Sequence, residues 1–435
     1  MTRVEIASWS HVLPTRTELV EWRREGPQTL EALSGPVVPR GAGRSYGDCA
    51  YVSDGTTCLS SGLDRILSFD QKHGLITCEA GVPLIGIIER IQGSGWAVQA
   101  YGGSRWVTVG GAIASDIHGK CDRRKGSFGN HIDSLSIEIA DGTILDCSPG
   151  QNPDLFRATI GGMGLTGFVR SATLRLQAAP SEAVHVTTQP FVHVREMIEL
   201  FEEGREDHQV AWVDFTRGVP RGIHHGATHI LDATARVPSP RRPVVVPIPM
   251  IKVFNSRMMR LLNSFRYWQQ IRYGNTALHV LDFHYPVDIL KNWNRFYGSQ
   301  GFQEYQFFVP PQAMSDLWAV FVKSCRRFDR FPFFAVVKRL GDATRQGFLS
   351  FAGDGYTMMA DFENRPENHD LFSYLTDVVL EHGGRIYLAK DSYTKAEQFS
   401  TMYDEIGRWQ EIAQTYDPMN RFQSDMSLRL KMKPW

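Results

Sequence analysis

The chain changes its hydrophobic period several times, and each change predicts an element. Residues 168–176 alternate apolar and polar, with Val169, Ala172, Leu174 and Leu176 as the apolar positions, which predicts a strand. Residues 132–147 alternate around Asp141-Gly142, a hairpin signal. Residues 63–78 read as two short strands around Lys72-His73-Gly74. Apolar positions at helical spacing predict helices over 85–91, which ends near Gly93 and Gly95, and over 153–159. Residues 17–33 also carry helical spacing with many charges, and 5–13 reads as a lead that packs on the domain. Beyond Leu176, strand-like runs at 183–188 and 208–216 enclose a helix at 194–203. The aromatic stretches 277–309 and 331–362 predict a sheet. Residues 395–414 predict one helix, with Phe399, Met402, Ile406, Trp409 and Ile412 packed in the core. The pattern is α+β in two domains: 1–178 completed by 393–435, and 179–392.

Between these elements lie three glycine-rich segments. Pro39-Arg40-Gly41-Ala42-Gly43-Arg44-Ser45-Tyr46-Gly47-Asp48 follows the apolar pair Val37-Val38, so a strand end opens into a loop. Successive N–H groups in such a loop form an anion-binding concavity, and glycine lets a ligand approach the backbone. Read alone, it is a tight surface turn. The second cluster runs from Gly102 to Lys120 and the third from Gly126 to His131. Repeated small-residue segments beside strands suit a long dinucleotide lying against backbone. The spacing is not the nicotinamide fingerprint, because three residues separate Gly43 from Gly47 where that fingerprint has two. Gly162-x-Gly164-x-x-Gly167 has the right letters but precedes the predicted strand, not a helix.

These segments, with Gly-x-Gly-Leu-Thr-Gly at 162–167, resemble the FAD domain of the vanillyl-alcohol oxidase superfamily, which has a PCMH-type FAD-binding domain. Within it the chain is most similar to the decaprenyl-phosphoryl-ribose 2-oxidase branch. Ala211-Trp212-x-Asp214, Tyr305-Gln306-Phe307, Tyr387-Leu388-Ala389-Lys390-Asp391-Ser392 and 417–426 carry the likeness through the rest of the chain. The resemblance implies FAD bound by residues 39–48 (Pro39, Arg40, Gly41, Ala42, Gly43, Arg44, Ser45, Tyr46, Gly47 and Asp48). From the second cluster it adds Gly103, Ser104, Thr108, Val109, Gly110, Gly111, Ala112, Ser115, Ile117, His118 and Gly119, and from elsewhere Asn130, Gly164, Val169 and Tyr387. It implies catalytic or substrate-contact roles for Lys390, Tyr46, His118, Lys338 and Gln306, in a pocket with Trp212, His284, Tyr285, Met359 and Lys120.

The residue chemistry fits those roles. Alcohol oxidation on a flavin needs a proton acceptor for the hydroxyl and a positive group or dipole for the reduced cofactor. A desolvated Lys390 polarises the hydroxyl or takes its proton; the alternative is a solvated surface lysine. Lys338 follows the apolar run 333–337, where a lysine is costly unless it is paired, for example with a substrate phosphate. His118, Gln306 and Trp212 could equally serve the core. Two departures from the family pattern matter. Many members attach the flavin through a histidine where this chain has Arg44, so non-covalent FAD is expected, with His118 and His131 as alternative attachment points. The cysteine of the mycobacterial Asn-x-Cys-x-Asp-Phe pattern is Met359 here.

The resemblance implies oxidation of the 2′-hydroxyl of a polyprenyl-phosphate-linked pentose. An NAD(P)H-dependent short-chain reductase would complete an epimerisation. Rival readings are an oxygen-using alditol or aldonolactone oxidase, and a flavin-bound partner subunit without turnover.

Residues 236–252 hold five prolines among apolar residues and cations, which excludes a helix or central strand. The segment reads as an irregular loop or as a lid meeting a membrane or a lipid-linked substrate. The 435-residue chain has formal net charge zero, which argues against a general nucleic-acid binder. Six cysteines without Cys-x-x-Cys spacing fit a reducing compartment. With neither an apolar leader nor a bilayer-length apolar run, the expected location is cytoplasmic, with peripheral membrane contact. His225 and His229 have metal-ligand spacing but no supporting context, and no metal is expected.

Overall fold

The computed structural model describes residues 3–22, 30–120, 125–179, 181–217, 219–232, 238–246, 256–341 and 345–433. The fold is α+β and is built on three sheets. The first pairs Arg3–Ile6 with Thr15–Glu21, followed by Thr56–Leu59 and Val37–Arg40 in parallel. The second is an antiparallel five-stranded sheet of Ile66–Asp70, Leu75–Glu79, Phe168–Arg175, Ile132–Glu138 and Ile144–Cys147. The third has eight antiparallel strands in the order Thr276–His279, Ala183–Phe191, Arg221–His229, His208–Asp214, Phe334–Leu340, Gly355–Glu363, Phe302–Val309 and Arg385–Ile386.

The period-2 geometry of the large sheet decides where the site lies. Ala211, Val213, Tyr305, Phe307, Ala335, Val337, Met358 and Ala360 point to one face. There they pack against Met197 and Phe201 of the helix Val194–Glu203, Leu317 and Phe321 of Met314–Arg327, and Leu371 and Leu375 of Asn368–Glu381. Their strand neighbours Val210, Trp212, Gln306, Val336, Lys338, Met359 and Asp361 point to the other face and line a cavity.

Three sequence expectations are corrected. Residues 17–21 of the expected helix 17–33 belong to the strand Thr15–Glu21, and 23–29 of that helix lie outside the described residues. Thr17 is fully buried and donates to the Gly55 carbonyl at 2.9 Å, so pairing on both sides outweighs the local period. The expected helix 395–414 is two helices, Ala396–Phe399 and Ile406–Tyr416. Met402 and Tyr403 are both buried and keep helical spacing from Phe399, so the local period carries no mark of the break. In 277–309, the helix Val280–His284 and a 3-10 turn at Trp293–Tyr297 interrupt the strands, because residues 280, 281 and 283–285 are buried without alternation. Of the proline segment 236–252, residues 236–237 and 247–252 lie outside the described residues. Val244–Val245 within it pairs with Leu290–Lys291 in an exposed two-stranded ribbon.

The tail closes on the first sheet. Val37 N–H donates to the Arg421 carbonyl at 2.8 Å, and Ser53 N–H donates to Asp425 at 2.6 Å. Arg429 binds Asp48 through two nitrogens at 2.9 and 2.8 Å and reaches Asp391 at 2.9 Å. Both carboxylates are almost fully buried. Replacing Arg429 with Met strands two buried acids, and the expected loss is ~3–5 kcal/mol of stability, read as a fall in the urea midpoint.

Candidate active site

The glycine loop starts where the strand Val37–Arg40 ends. Gly43 turns the chain at φ +63°, a conformation costly for a residue with a Cβ. The loop is fixed from both sides. Arg40 donates to the carbonyls of Ala7 and Ala50 at 2.9 and 3.2 Å, and Trp9 N–H donates to the Ser45 carbonyl at 2.8 Å. Tyr46 N–H donates to the Ala389 carbonyl at 2.9 Å. A Cβ on Gly47 would collide with the Asp391 carbonyl, so only glycine lets the two backbones meet there. The second cluster opens the helix Val109–Ala114, capped by the Thr108 side chain on Gly111 N–H. It packs so closely on the first loop that a Cβ on Gly41 would strike Thr108 Oγ1. Asp116 ties the third cluster down, accepting from Ser127 Oγ and Gly129 N–H at 2.8 Å each. Asp288 accepts from Arg105 N–H at 2.7 Å and from Ser104 Oγ, holding the edge of the trough.

Together these segments wall a cavity of about 1070 Å³, at the top of the ~300–1,000 Å³ range of small-ligand sites. Backbone of Gly41–Ser45, Gly102–Ser104 and Gly110–Gly111 forms one side. Arg44 stacks on Trp9 at 3.9 Å, and its buried Nε has no hydrogen-bond partner. An unmatched guanidinium N–H beside glycine backbone suits an anionic dinucleotide, so the trough fits the pyrophosphate of FAD.

The far wall comes from the large sheet. Lys390 Nζ lies 3.0 Å from the Tyr46 ring centroid and 3.1 and 3.2 Å from the Glu304 carboxylate oxygens. Glu304 and Asp361 are directly opposed on adjacent strands. Burial pushes the Asp361 carboxyl well above its ordinary range, and the neighbouring Glu304 charge pushes the same way. Burial lowers the Lys390 ammonium, while Glu304 and Asp361 oppose that shift. Gln306 Nε2 donates to His118 Nε2 at 2.9 Å and contacts Thr357 Oγ1 at 3.0 Å. Burial, then the charges of Lys338 and Lys390, hold His118 well below the ordinary histidine range, so the ring is neutral. Lys120 donates to the carbonyls of Phe283 and His284 at 2.6 and 3.1 Å. His284 stacks on Tyr101 at 3.9 Å and is kept neutral by burial.

All five residues expected to do chemistry line this cavity, as do Trp212, His284, Met359 and Lys120. Seven sequence candidates lie behind its wall. Gly47 is packed under Asp391, and Asp48 is spent on Arg429. Val109, Ala112 and Gly119 are buried in packing, and Asn130 caps Ser127. Tyr285 donates to the Tyr101 carbonyl. The alternative attachment point His131 does not line the cavity either. Sequence reasoning missed Glu304, Asp361 and Asp288. Glu304 stands two residues from Gln306, and Asp361 two from Met359, so strand alternation puts each on a face already singled out. Among the described residues no cluster of three or more His, Cys, Asp or Glu is placed to hold a metal ion.

Comparison with known proteins agrees with this geometry. Residues 28–148 match the FAD binding domain family, and residues 355–430 match the D-arabinono-1,4-lactone oxidase family. The chain is 34% identical to the decaprenylphosphoryl-beta-D-ribose oxidase of Mycolicibacterium smegmatis, over 96% of this chain and 98% of that one. It is 32% identical to the L-gulonolactone oxidase of Mus musculus, over 31% of this chain and 30% of that one. Fold and site define an FAD-dependent oxidoreductase acting on CH–OH groups. The chain belongs to the PCMH-type FAD-binding oxidase family that includes the Mycolicibacterium smegmatis ribose oxidase.

Arg44 cannot form the histidyl link to a flavin methyl group. Acid precipitation of the purified yellow protein is therefore expected to leave the flavin absorbance in the supernatant. Colour retained in the pellet would show a covalent bond.

Proposed function

We propose that this enzyme oxidises the 2′-hydroxyl of a polyprenyl-phosphate-linked pentose to a 2-keto sugar. The carrying observation is the buried Lys390–Glu304–Asp361 group set on the Tyr46 ring, where a hydroxyl entering the cavity would meet it. The 34% identity to a ribose oxidase across nearly both chains supports the substrate class. Bound FAD supplies the hydride acceptor.

The protein's own groups do the rest. Lys390 contacts the hydroxyl and takes its proton, and Glu304 and Asp361 set how readily it does so. Neutral His118, oriented by Gln306, contributes a polar contact without a second charge. Lys338 and Lys120 place cations on the same wall for a phosphate diester. Met359 gives that wall an unreactive thioether where a cysteine would present a thiol.

The ketone product requires reduction from the opposite face to yield the arabinose form, a task for an NAD(P)H-dependent short-chain reductase. Among the described residues no helix is long and apolar enough to cross a membrane. We place the reaction at a cytoplasmic membrane surface that the enzyme meets peripherally. The lactone-oxidase match over 355–430 favours a second reading, oxidation of a free aldonolactone by oxygen. Rapid oxygen uptake with such a lactone and no flavin bleaching by a lipid-linked pentose would select it.

Anaerobic stopped-flow bleaching by the lipid-linked pentose tests the first reading. Lys390→Ala is expected to slow bleaching by ~10²–10⁴-fold. The rate should rise with pH through an inflection below the ordinary lysine range, because burial favours the neutral amine. Glu304→Gln removes a charge that holds Lys390 protonated, so the inflection should move to lower pH. An unmoved inflection would remove Lys390 from the proton step.

A further inference from the structure

The helix Ser256–Tyr273 turns large apolar side chains outward. Its inward residues are largely polar: Asn263 donates to Asp214 and to the Phe333 carbonyl at 3.3 and 3.0 Å, and Tyr267 stacks under Arg221 at 4.0 Å. Its outward residues are large and apolar. Leu261, Phe265 and Trp268 are 69%, 69% and 63% exposed, with Met258, Leu262 and Ile271 beside them. The spacing 258, 261, 262, 265, 268 puts them on one stripe. Exposed apolar area of this kind marks a surface that something covers.

The charge around the stripe says what covers it. The chain is neutral overall, yet its sequence has no carboxylate between Asp232 and Asp282. Of the cations in that interval, Arg260 and Arg272 of this helix and Arg241 and Arg242 are exposed, while Arg266 turns inward onto Trp212 at 5.0 Å. A cationic helix with an aromatic and leucine face is complementary to an anionic lipid surface. The stripe also meets the cavity mouth, which Leu262 and Phe265 line.

We infer that the Ser256–Tyr273 helix docks this enzyme on an anionic lipid bilayer, with the cavity mouth facing the headgroups. A lipid-linked sugar would then enter while its tail stays in the membrane. That purpose rests on the lipid-linked substrate proposed above, whereas docking itself is tested without any substrate.

The experiment is co-sedimentation of the FAD-loaded full chain with vesicles of phosphatidylcholine alone, or of equimolar phosphatidylcholine and phosphatidylglycerol. Binding is expected to the phosphatidylglycerol vesicles and to fall as salt rises. Leu261→Ser with Trp268→Ser should weaken binding by about tenfold or more while the flavin spectrum is unchanged. Arg260→Glu with Arg272→Glu should weaken it comparably, and only at low salt. Absent binding to phosphatidylglycerol vesicles overturns the inference. So does binding that both variants retain, or a concentration-dependent dimer that the apolar variant abolishes. Docking without oxidation of a lipid-linked pentose would leave the inference standing and remove the substrate assignment.

Discussion

One guanidinium holds together the parts that must meet. Arg429 comes from the tail, Asp48 from the end of the glycine loop, and Asp391 follows the lysine of the far wall. Burial works against the charge of Arg429, but Asp391 and Asp48 overcome it and raise its pKa. The same burial raises the Asp48 carboxyl, which would be costlier still without its partner. The clamp presses two backbones together at Gly47, where no side chain would fit. Tyr46 and Lys390, next to that contact on either segment, are thereby held ring to ammonium. The arrangement that binds a hydroxyl is thus a by-product of how three remote segments are pinned.

Behind the clamp, the large sheet separates two kinds of interior. One face is hydrocarbon against three helices and is stabilised by apolar burial. The other buries charge, made tolerable by partners: Lys390 on Glu304, Lys120 on two carbonyls, Asp288 on Arg105 and Ser104. Histidines there are neutral. Burial takes His208 and His225 both down to about 3. The cavity therefore presents cations from lysine and arginine, and uncharged imidazoles between them.

Much of this was legible in the chain. The three glycine segments, the alternation of 168–176 and the hairpin at 132–147 carry their geometry locally, in φ preference and period. Of the nine residues expected on the catalytic and substrate walls and found there, Trp212, Gln306, Lys338 and Met359 sit on strands whose face the period allows, whereas Tyr46, His118, Lys120, His284 and Lys390 sit on loops, a turn or a short helix. What escaped depends on remote partners. Thr15–Glu21 is a strand because Arg3–Ile6 and Thr56–Leu59 flank it. The break after Phe399 leaves no mark in the local period, since Met402 and Tyr403 keep helical spacing. Asp288 has no local signature and gains its role only by reaching Ser104 and Arg105 across the fold. Glu304 and Asp361 were readable in principle, since each stands two residues from a position already singled out.

The cavity draws on Trp9, the 39–50 loop, the large sheet and Lys390, and its backbone contact is clamped by Arg429. A nascent chain leaving the ribosome has made its first glycine loop long before the residues that complete the trough exist. The complete cavity can therefore form only after most of the chain has been made. Until then, the far wall with its buried cations and carboxylates does not yet face the glycine loops.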